Sequence, residues 1–185
     1  MTVVGTEFAM NNRKKLIEEL IKQDEQLETM QLGGIKQKVF EFLIKEKQFK
    51  TEEIETDPEF RITLSDSEIT VHIDFVVNLS SASFILILCR PTAIESWERY
   101  IISFAKVIKD YQIPYAVVTD GENAQIIDIP AGRLIGKSLS ELFNRQEVLN
   151  KMKDFKKIPC PANRLEKEKR ILYAFEGIKC PTEKK

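Results

Sequence analysis

Asp74 is a carboxylate on an alternating strand, where it reads equally as a polar residue of the wet face and as an acid able to hold a metal ion. It sits in an alternating run from Ile69 to Phe75, where His72 shares its face. One carboxylate is a poor site for Mg²⁺, which dehydrates reluctantly and is usually held by one or two carboxylates together with substrate phosphates. Glu95 and Glu98 on the following helix are further carboxylates that could share a metal ion with Asp74, and Arg90 or Lys106 could supply a cation beside phosphate. Strand alternation turns Arg90 to the face opposite Cys89, and Glu95 is expected to be engaged by a capping box with Thr92 and an i,i+4 pair with Arg99. His72, a lone histidine, reads first as a surface or hydrogen-bonded residue. Cys89 lies in an apolar run with no flanking base, so it reads as a small hydrophobe with a raised pKa and not as a nucleophile. Cys160 and Cys180 could join Cys89 and His72 as soft ligands, but they lack the C-x₂-C spacing of a zinc module, and no metal site is expected from them. Trp97 falls on an apolar helical stripe and is expected in the core. No G-x-G-x-x-G, Walker A or G-x-S-x-G sequence occurs.

The elements that must position these groups follow from hydrophobic periodicity. Residues 1–10 are too short and uncharged for a targeting signal and are expected to form a partly ordered arm. Leu16, Ile17, Leu20 and Ile21 then mark a helix. Gly33-Gly34 punctuates the chain, and Ile35, Val39, Phe40, Leu43 and Ile44 predict a second helix ending near Lys47. The period then changes to two. Phe60, Ile62 and Leu64 and the run Ile69–Phe75 flank a turn at Ser65-Asp66-Ser67, predicting a hairpin with one dry face. A loop over Asn78–Ser83 leads to FILILC (84–89), apolar on both sides, as a central strand requires. Pro91-Thr92 opens a helix carrying Ile94, Trp97, Ile101, Phe104, Ala105 and Ile108. Strands follow over Tyr115–Thr119 and Ala124–Ile129, and Pro130-Ala131-Gly132 ends the second. The rest reads as helical, with a capping box at Ser138 and Glu141 and a late helix marked by Leu165, Ile171, Leu172, Phe175 and Ile178. The fold class is therefore α/β, in the α+β sense, with helices flanking a mixed central sheet. We divide the chain into an N-terminal arm and helix (1–34), a core (35–136) and a C-terminal helical extension packed on the same domain (137–185).

The 185 residues carry 28 Lys and Arg against 29 Asp and Glu, a formal charge of −1. This sum conceals two opposite halves: residues 1–136 are net −7 and residues 137–185 net +6. The core would repel phosphate on net charge. The basic C-terminal segment, with Lys156, Lys157, Arg164 and Arg170, offers a surface for DNA or for another protein subunit; a solvated face complementing the acidic core is the plainer role. No stretch approaches the roughly 18 apolar residues of a membrane span, and three Cys fit a reduced, cytoplasmic chain.

The stretch from Ile35 to Gly136 resembles the N-terminal nuclease domain of type I restriction enzyme R subunits, within the PD-(D/E)xK superfamily. The resemblance rests on the acid in HIDFVV, on ILILCRP, and on IPYAVVTDGENAQIID. It implies a restriction-endonuclease-like sandwich in which two carboxylates and a lysine hold Mg²⁺ and orient water at a DNA phosphate. Asp74 matches the first acid. The E-x-K register falls on Ile87 and Cys89, so both groups are lost, and the family's Q-x-x-x-Y pattern falls on Tyr100 and Phe104. The resemblance thus implies a stand-alone, catalytically inactive relative that acts as a binding or assembly module and needs no cofactor. Two alternatives stand beside it. One is a Mg²⁺-dependent DNA endonuclease with migrated catalytic residues, and the other is a protein-interaction or dimerisation module, a homodimer among its forms, that uses the helical ends and keeps the sheet purely structural. A second carboxylate close to Asp74 would favour the enzyme, and an apolar enclosure would oppose it.

Overall fold

The computed structural model describes residues 4–65 and 67–179, with side chains from 15 to 177. Residues 1–3, every side chain of the expected arm, the Ile178 side chain and Cys180 lie outside the described residues. Two compact units divide at Gly34. Helix α1 (Val4–Lys45) supplies the first and opens the second. The backbone is already helical where an arm was expected, and Gly33-Gly34 does not end the helix. A glycine costs about 1 kcal/mol in a helix interior yet adopts its φ/ψ without strain, so good helix formers on both sides carry the helix through.

In the second unit a six-stranded sheet runs in the order β1 (Ile54–Thr56), β4 (Phe75–Leu79), β5 (Ala82–Cys89), β6 (Tyr115–Thr119), β7 (Asn123–Asp128), β8 (Arg133–Ser138). Only β5 and β6 are parallel; α2 (Glu98–Val107) makes the crossover between them. This mixed sheet with flanking helices is the α+β class expected. Strands β2 (Glu59–Leu64) and β3 (Ser67–His72) form a separate hairpin. Helices α3 (Arg145–Met152) and α4 (Ala162–Lys179) complete the chain. No helix among the described residues is long and apolar enough to cross a membrane.

All eight residues of β5 are buried, as its double-sided apolar pattern requires. On one face Leu86 and Leu88, with Val76, Ala116 and Val118, pack in a core shared with Tyr100, Ile101, Phe104 and Ala105 of α2, Leu172 of α4, and Ile62 and Val71 of the hairpin. Tyr173 of α4 holds that hairpin by its backbone: its hydroxyl accepts the Leu64 N–H at 3.1 Å and donates to the Ile62 carbonyl at 3.0 Å. On the other face Phe75 stacks on Phe40 of α1, ring centroids 6.2 Å apart, with Val39 and Leu43 fully buried beside it.

Several elements differ from the sequence reading. The run Ile69–Phe75 is not one strand: β3 stops at His72 and Phe75 opens β4 in the other sheet, so His72 and Asp74 do not share a strand face. The loop expected over Asn78–Ser83 shrinks to Ser80-Ser81, both at positive φ, the two-residue turn whose twist suits a hairpin. Thr92 caps nothing. Ala93 takes a left-handed conformation, a 3₁₀ turn spans Ile94–Trp97, and α2 begins at Glu98, because buried Ile94 draws the turn into the core. Arg99 pairs with Glu168 of α4 at 2.7 Å and not with Glu95. Ser138 does cap, but only a 3₁₀ turn over Leu139–Glu141. Strand β8 stands where helix was expected. It is a largely exposed edge strand, so no period-two burial marks it in the sequence. A Cβ on Gly136 within β8 would come 2.7 Å from Glu141 Oε2 and 3.0 Å from Ile126 Cδ1, so a side chain there would displace its neighbours.

Candidate functional site around Asp74

Strands β1 and β4 pair antiparallel with Thr56 opposite Phe75, and the Asp57 N–H donates to the Asp74 carbonyl at 2.8 Å. The two aspartates thereby emerge side by side where the pair ends. Asp74 is buried, and its Oδ2 accepts the Cys89 N–H of β5 at 2.6 Å. Two cations face it as well: Lys36 Nζ from α1 lies 3.1 Å from Oδ1, and the Arg90 guanidinium 3.7 Å from Oδ2. Lys36 also hydrogen-bonds the Asp57 carboxylate, so one ammonium lies between two acids. A shallow cavity of about 250 Å³, lined by Lys36, Gln37, Phe40, Thr56, Asp57 and Phe75, lets solvent reach Lys36 and Asp57.

The electrostatics follow from this geometry. Burial alone would lower the Lys36 pKa, but its bonds to Asp57 and Asp74 more than reverse this and raise it, so it stays charged. Burial lowers Arg90 from its usual value, with Asp74 opposing that fall, and its guanidinium lies 4.2 Å from the centre of the Trp97 ring. The Cys89 thiol is pushed far up by burial and then by the nearby Asp74 charge, so it remains protonated and unreactive. Two positive and two negative side chains gather here, and every partner of Asp74 is already a donor or a cation.

The other predicted positions fall as follows. Ile87, opposite Phe75, and Cys89 are both fully buried. Arg90 faces Asp74, which corrects the expectation that it turns away: β5 ends at Cys89, so strand alternation no longer governs it. Glu95 and Glu98 are exposed, and neither joins the cluster. Lys106 instead binds Glu168 at 3.2 Å. His72 lies beside Glu59 at 3.7 Å, away from Asp74. Tyr100 and Phe104 are buried in an aromatic cluster with Trp97 and Phe175, and the Tyr100 hydroxyl donates to Glu176 at 2.9 Å. Among the described residues no three His, Cys, Asp or Glu side chains converge as a metal site.

The basic C-terminal set is dispersed. Lys156 and Lys157 lie in the irregular segment between α3 and α4, not in a helix, with Lys157 over the Tyr111 ring. Arg164 and Arg170 are exposed on α4. The charge complementarity between α4 and the core has a sign opposite to the one expected. It is an acid of α4, buried Glu168, that meets Arg99, Lys106 and Ser103 of α2. Burial would raise the Glu168 pKa, but these donors outweigh it and hold the group below its usual range.

Lys36 and Asp57 are the members of the site that the sequence reading missed. The signal for Lys36 was a lysine four residues before Phe40 and seven before Leu43, within an apolar helical stripe. For Asp57 it was the Asp-Pro step that ends β1.

Residues 34–142, more than half of the chain, match the family model described as type I restriction enzyme R protein N terminus. The chain belongs to that family. No curated protein and no solved structure matches it with significance. The R-protein N-terminal span begins two residues before Lys36 and ends in the turn after β8, so it contains the whole six-stranded sheet and every member of the Asp74 cluster. Helix α4, with Glu168, Arg164 and Arg170, lies beyond it.

Proposed function

We propose that this R-protein N-terminal domain is a catalytically inactive relative of PD-(D/E)xK nucleases, kept as a binding or assembly module for DNA or another protein subunit. The observation that carries this reading is the burial of Ile87 and Cys89. The positions where a nuclease would place its second acid and its lysine hold an aliphatic side chain and a protonated thiol, both closed off from solvent. The donor set at Asp74 does not fit Mg²⁺ either. The acids available are Asp74 and Asp57, and the ammonium of Lys36 already lies between them.

The test is Mg²⁺-dependent nicking of supercoiled plasmid by the full chain, beside Asp74→Asn. No cleavage above a protein-free control supports the inactive reading. Cleavage by the wild type that Asp74→Asn abolishes would overturn it. A Mg²⁺-dependent DNA endonuclease with migrated residues is the second reading, and one observation favours it: two carboxylates and a lysine do converge at Lys36, though from α1, the residue after β1 and the residue before β4, and not from Glu95 and Glu98. Under that reading Lys36→Met would abolish cleavage as fully as Asp74→Asn.

A further inference from the structure

Residues 151–170, the segment leading into α4 and the first half of that helix, carry eight Lys and Arg against three acids, Asp154, Glu166 and Glu168. The fold then draws the acids of α4 into contacts of their own. Glu168 is buried against Arg99, Lys106 and Ser103 of α2, Glu166 pairs with Lys169 at 3.3 Å, and Glu176 accepts a hydrogen bond from the Tyr100 hydroxyl. The cations are treated differently. Arg164, Lys167 and Arg170 are exposed, and none of them forms an ion pair among the described residues. Steps of three residues wind these side chains through about a third of the helix circumference, so they share one side of α4. Lys156 and Lys157, exposed in the irregular segment before the helix, continue the same sign of charge along the chain.

The chemistry of this side selects its ligand. Protein interfaces are anchored by aromatic, Met or aliphatic side chains in a core depleted of charge. No large apolar side chain is exposed among the described residues of α4; the outer side holds Asn163, Ala174, Gly177 and the paired Glu166 beside the three cations. An anionic lipid surface also calls for apolar residues that enter the bilayer next to the cations. With no apolar anchor, binding must come from charge, and a phosphate polymer supplies it by releasing condensed counterions as Lys and Arg take their place. Residues 1–136, at net −7, would turn such a polymer away from the sheet and towards this helix.

We propose that the outer side of α4, through Arg164, Lys167 and Arg170, binds the phosphate backbone of duplex DNA without regard to sequence. The proposal chooses DNA over a protein subunit within the binding reading above and rests on that reading, and it places the contact on a helix beyond the family-matched span.

Fluorescence anisotropy of a labelled DNA duplex of mixed sequence, titrated with the full chain at several salt concentrations, tests it. The wild type should bind, with log K falling linearly against log salt. Arg164→Gln with Lys167→Gln and Arg170→Gln should weaken binding at least about tenfold at low salt and reduce the slope by about three, roughly one for each phosphate contact removed. Its thermal midpoint should match the wild type, because all three side chains are exposed and make no ion pair. A charge-matched control, Arg61→Gln with Arg133→Gln and Lys137→Gln, removes three exposed cations elsewhere in the same unit and should bind as the wild type does. Absence of wild-type binding, equal losses in the two triple variants, or an unchanged slope overturns the proposal. Displacement of the duplex by polyglutamate at equal charge overturns it too, since the ligand would then be an acidic polypeptide. Plasmid nicking decides the inactive reading separately: a chain that neither binds nor cleaves DNA refutes the α4 surface and leaves the assembly reading standing.

Discussion

Replacing Asp74 by Asn keeps the shape of the side chain and an oxygen able to accept the Cys89 N–H, and it removes only the charge. Lys36, whose side chain is 25% exposed, would then keep Asp57 as its anion, and Arg90, 16% exposed, would lose its ion-pair partner and be left with the field of Glu176. At an effective dielectric of about 20, charges 3.1 Å and 3.7 Å apart attract by roughly 5 kcal/mol each before desolvation is counted. Desolvation of the buried carboxylate offsets much of this, and losing one partner of a buried pair typically costs about 3–5 kcal/mol. The bond of Lys36 to Asp57 and its access to solvent reduce that further, to about 2 kcal/mol for Asn; Ala, which also orphans the Cys89 amide, should cost about 3–4 kcal/mol. Urea unfolding at pH 7 measures both, and a loss of about 2 kcal/mol corresponds to roughly 4–8 °C in thermal midpoint for a chain of this size. Combining Asp74→Asn with Lys36→Met should recover about 1 kcal/mol or more of the summed single losses, because the two groups interact directly. An Asp74→Asn variant within about 0.5 kcal/mol of wild type, or a strictly additive double variant, would refute the view that this cluster holds β1, β4, β5 and α1 together.

Three further outcomes follow from the same geometry. Ile87→Glu with Cys89→Lys puts two ionic groups where both side chains are fully buried; circular dichroism should show an unfolded or severely destabilised chain, several kcal/mol down, whereas a well-folded variant would mean the region opens to water. Glu168→Gln should lose about 1–3 kcal/mol at pH 7. The Glu168 pKa is depressed in the fold, so its contribution is present above the usual glutamate value of 4.5 and fades as pH falls through its folded value; unfolding curves of wild type and variant should converge in acid, and a gap that persists unchanged there contradicts the assignment. Cys89 should resist a thiol reagent until denaturant is added while Cys160 reacts in the native state, as mass spectrometry of the labelled peptides will show. Equal labelling of the two would be inconsistent with the packing of β5.

The sequence carried the parts of the fold that bury a regular pattern. Strand β5 and the α2 crossover were legible because an apolar run of that length suits a strand buried on both faces, and a three-and-four spacing suits only a helix with one dry side. Strand β8 was not legible, because an edge strand with one buried residue has no alternation to detect. The break between His72 and Phe75 was hidden for the opposite reason: the alternation continues through it in sequence while the chain passes from one sheet to another. Of the site, Asp74 could be singled out from its phrase, but its partners come from 38 positions upstream in Lys36 and from the end of β1 in Asp57. No spacing rule connects residues that meet only once a helix has crossed a sheet. Arg90 was misassigned because strand periodicity was extended one residue past the point where the strand ends.

The grip of Tyr173 on the β2–β3 hairpin has a consequence for how the chain acquires its structure during synthesis. The hairpin belongs to no larger sheet, and a lone two-stranded hairpin is at best marginally stable in water. Its hydroxyl clasp and its hydrophobic cover, Leu172, both lie in α4, about 30 residues after the family-matched span has left the ribosome. Until then the aromatic flank of α2 around Tyr100 and Phe104 also lacks its lid. A nascent chain halted at residue 142 should hold a formed sheet and an open greasy side, a natural target for chaperones, and the last turns of α4 are what release it.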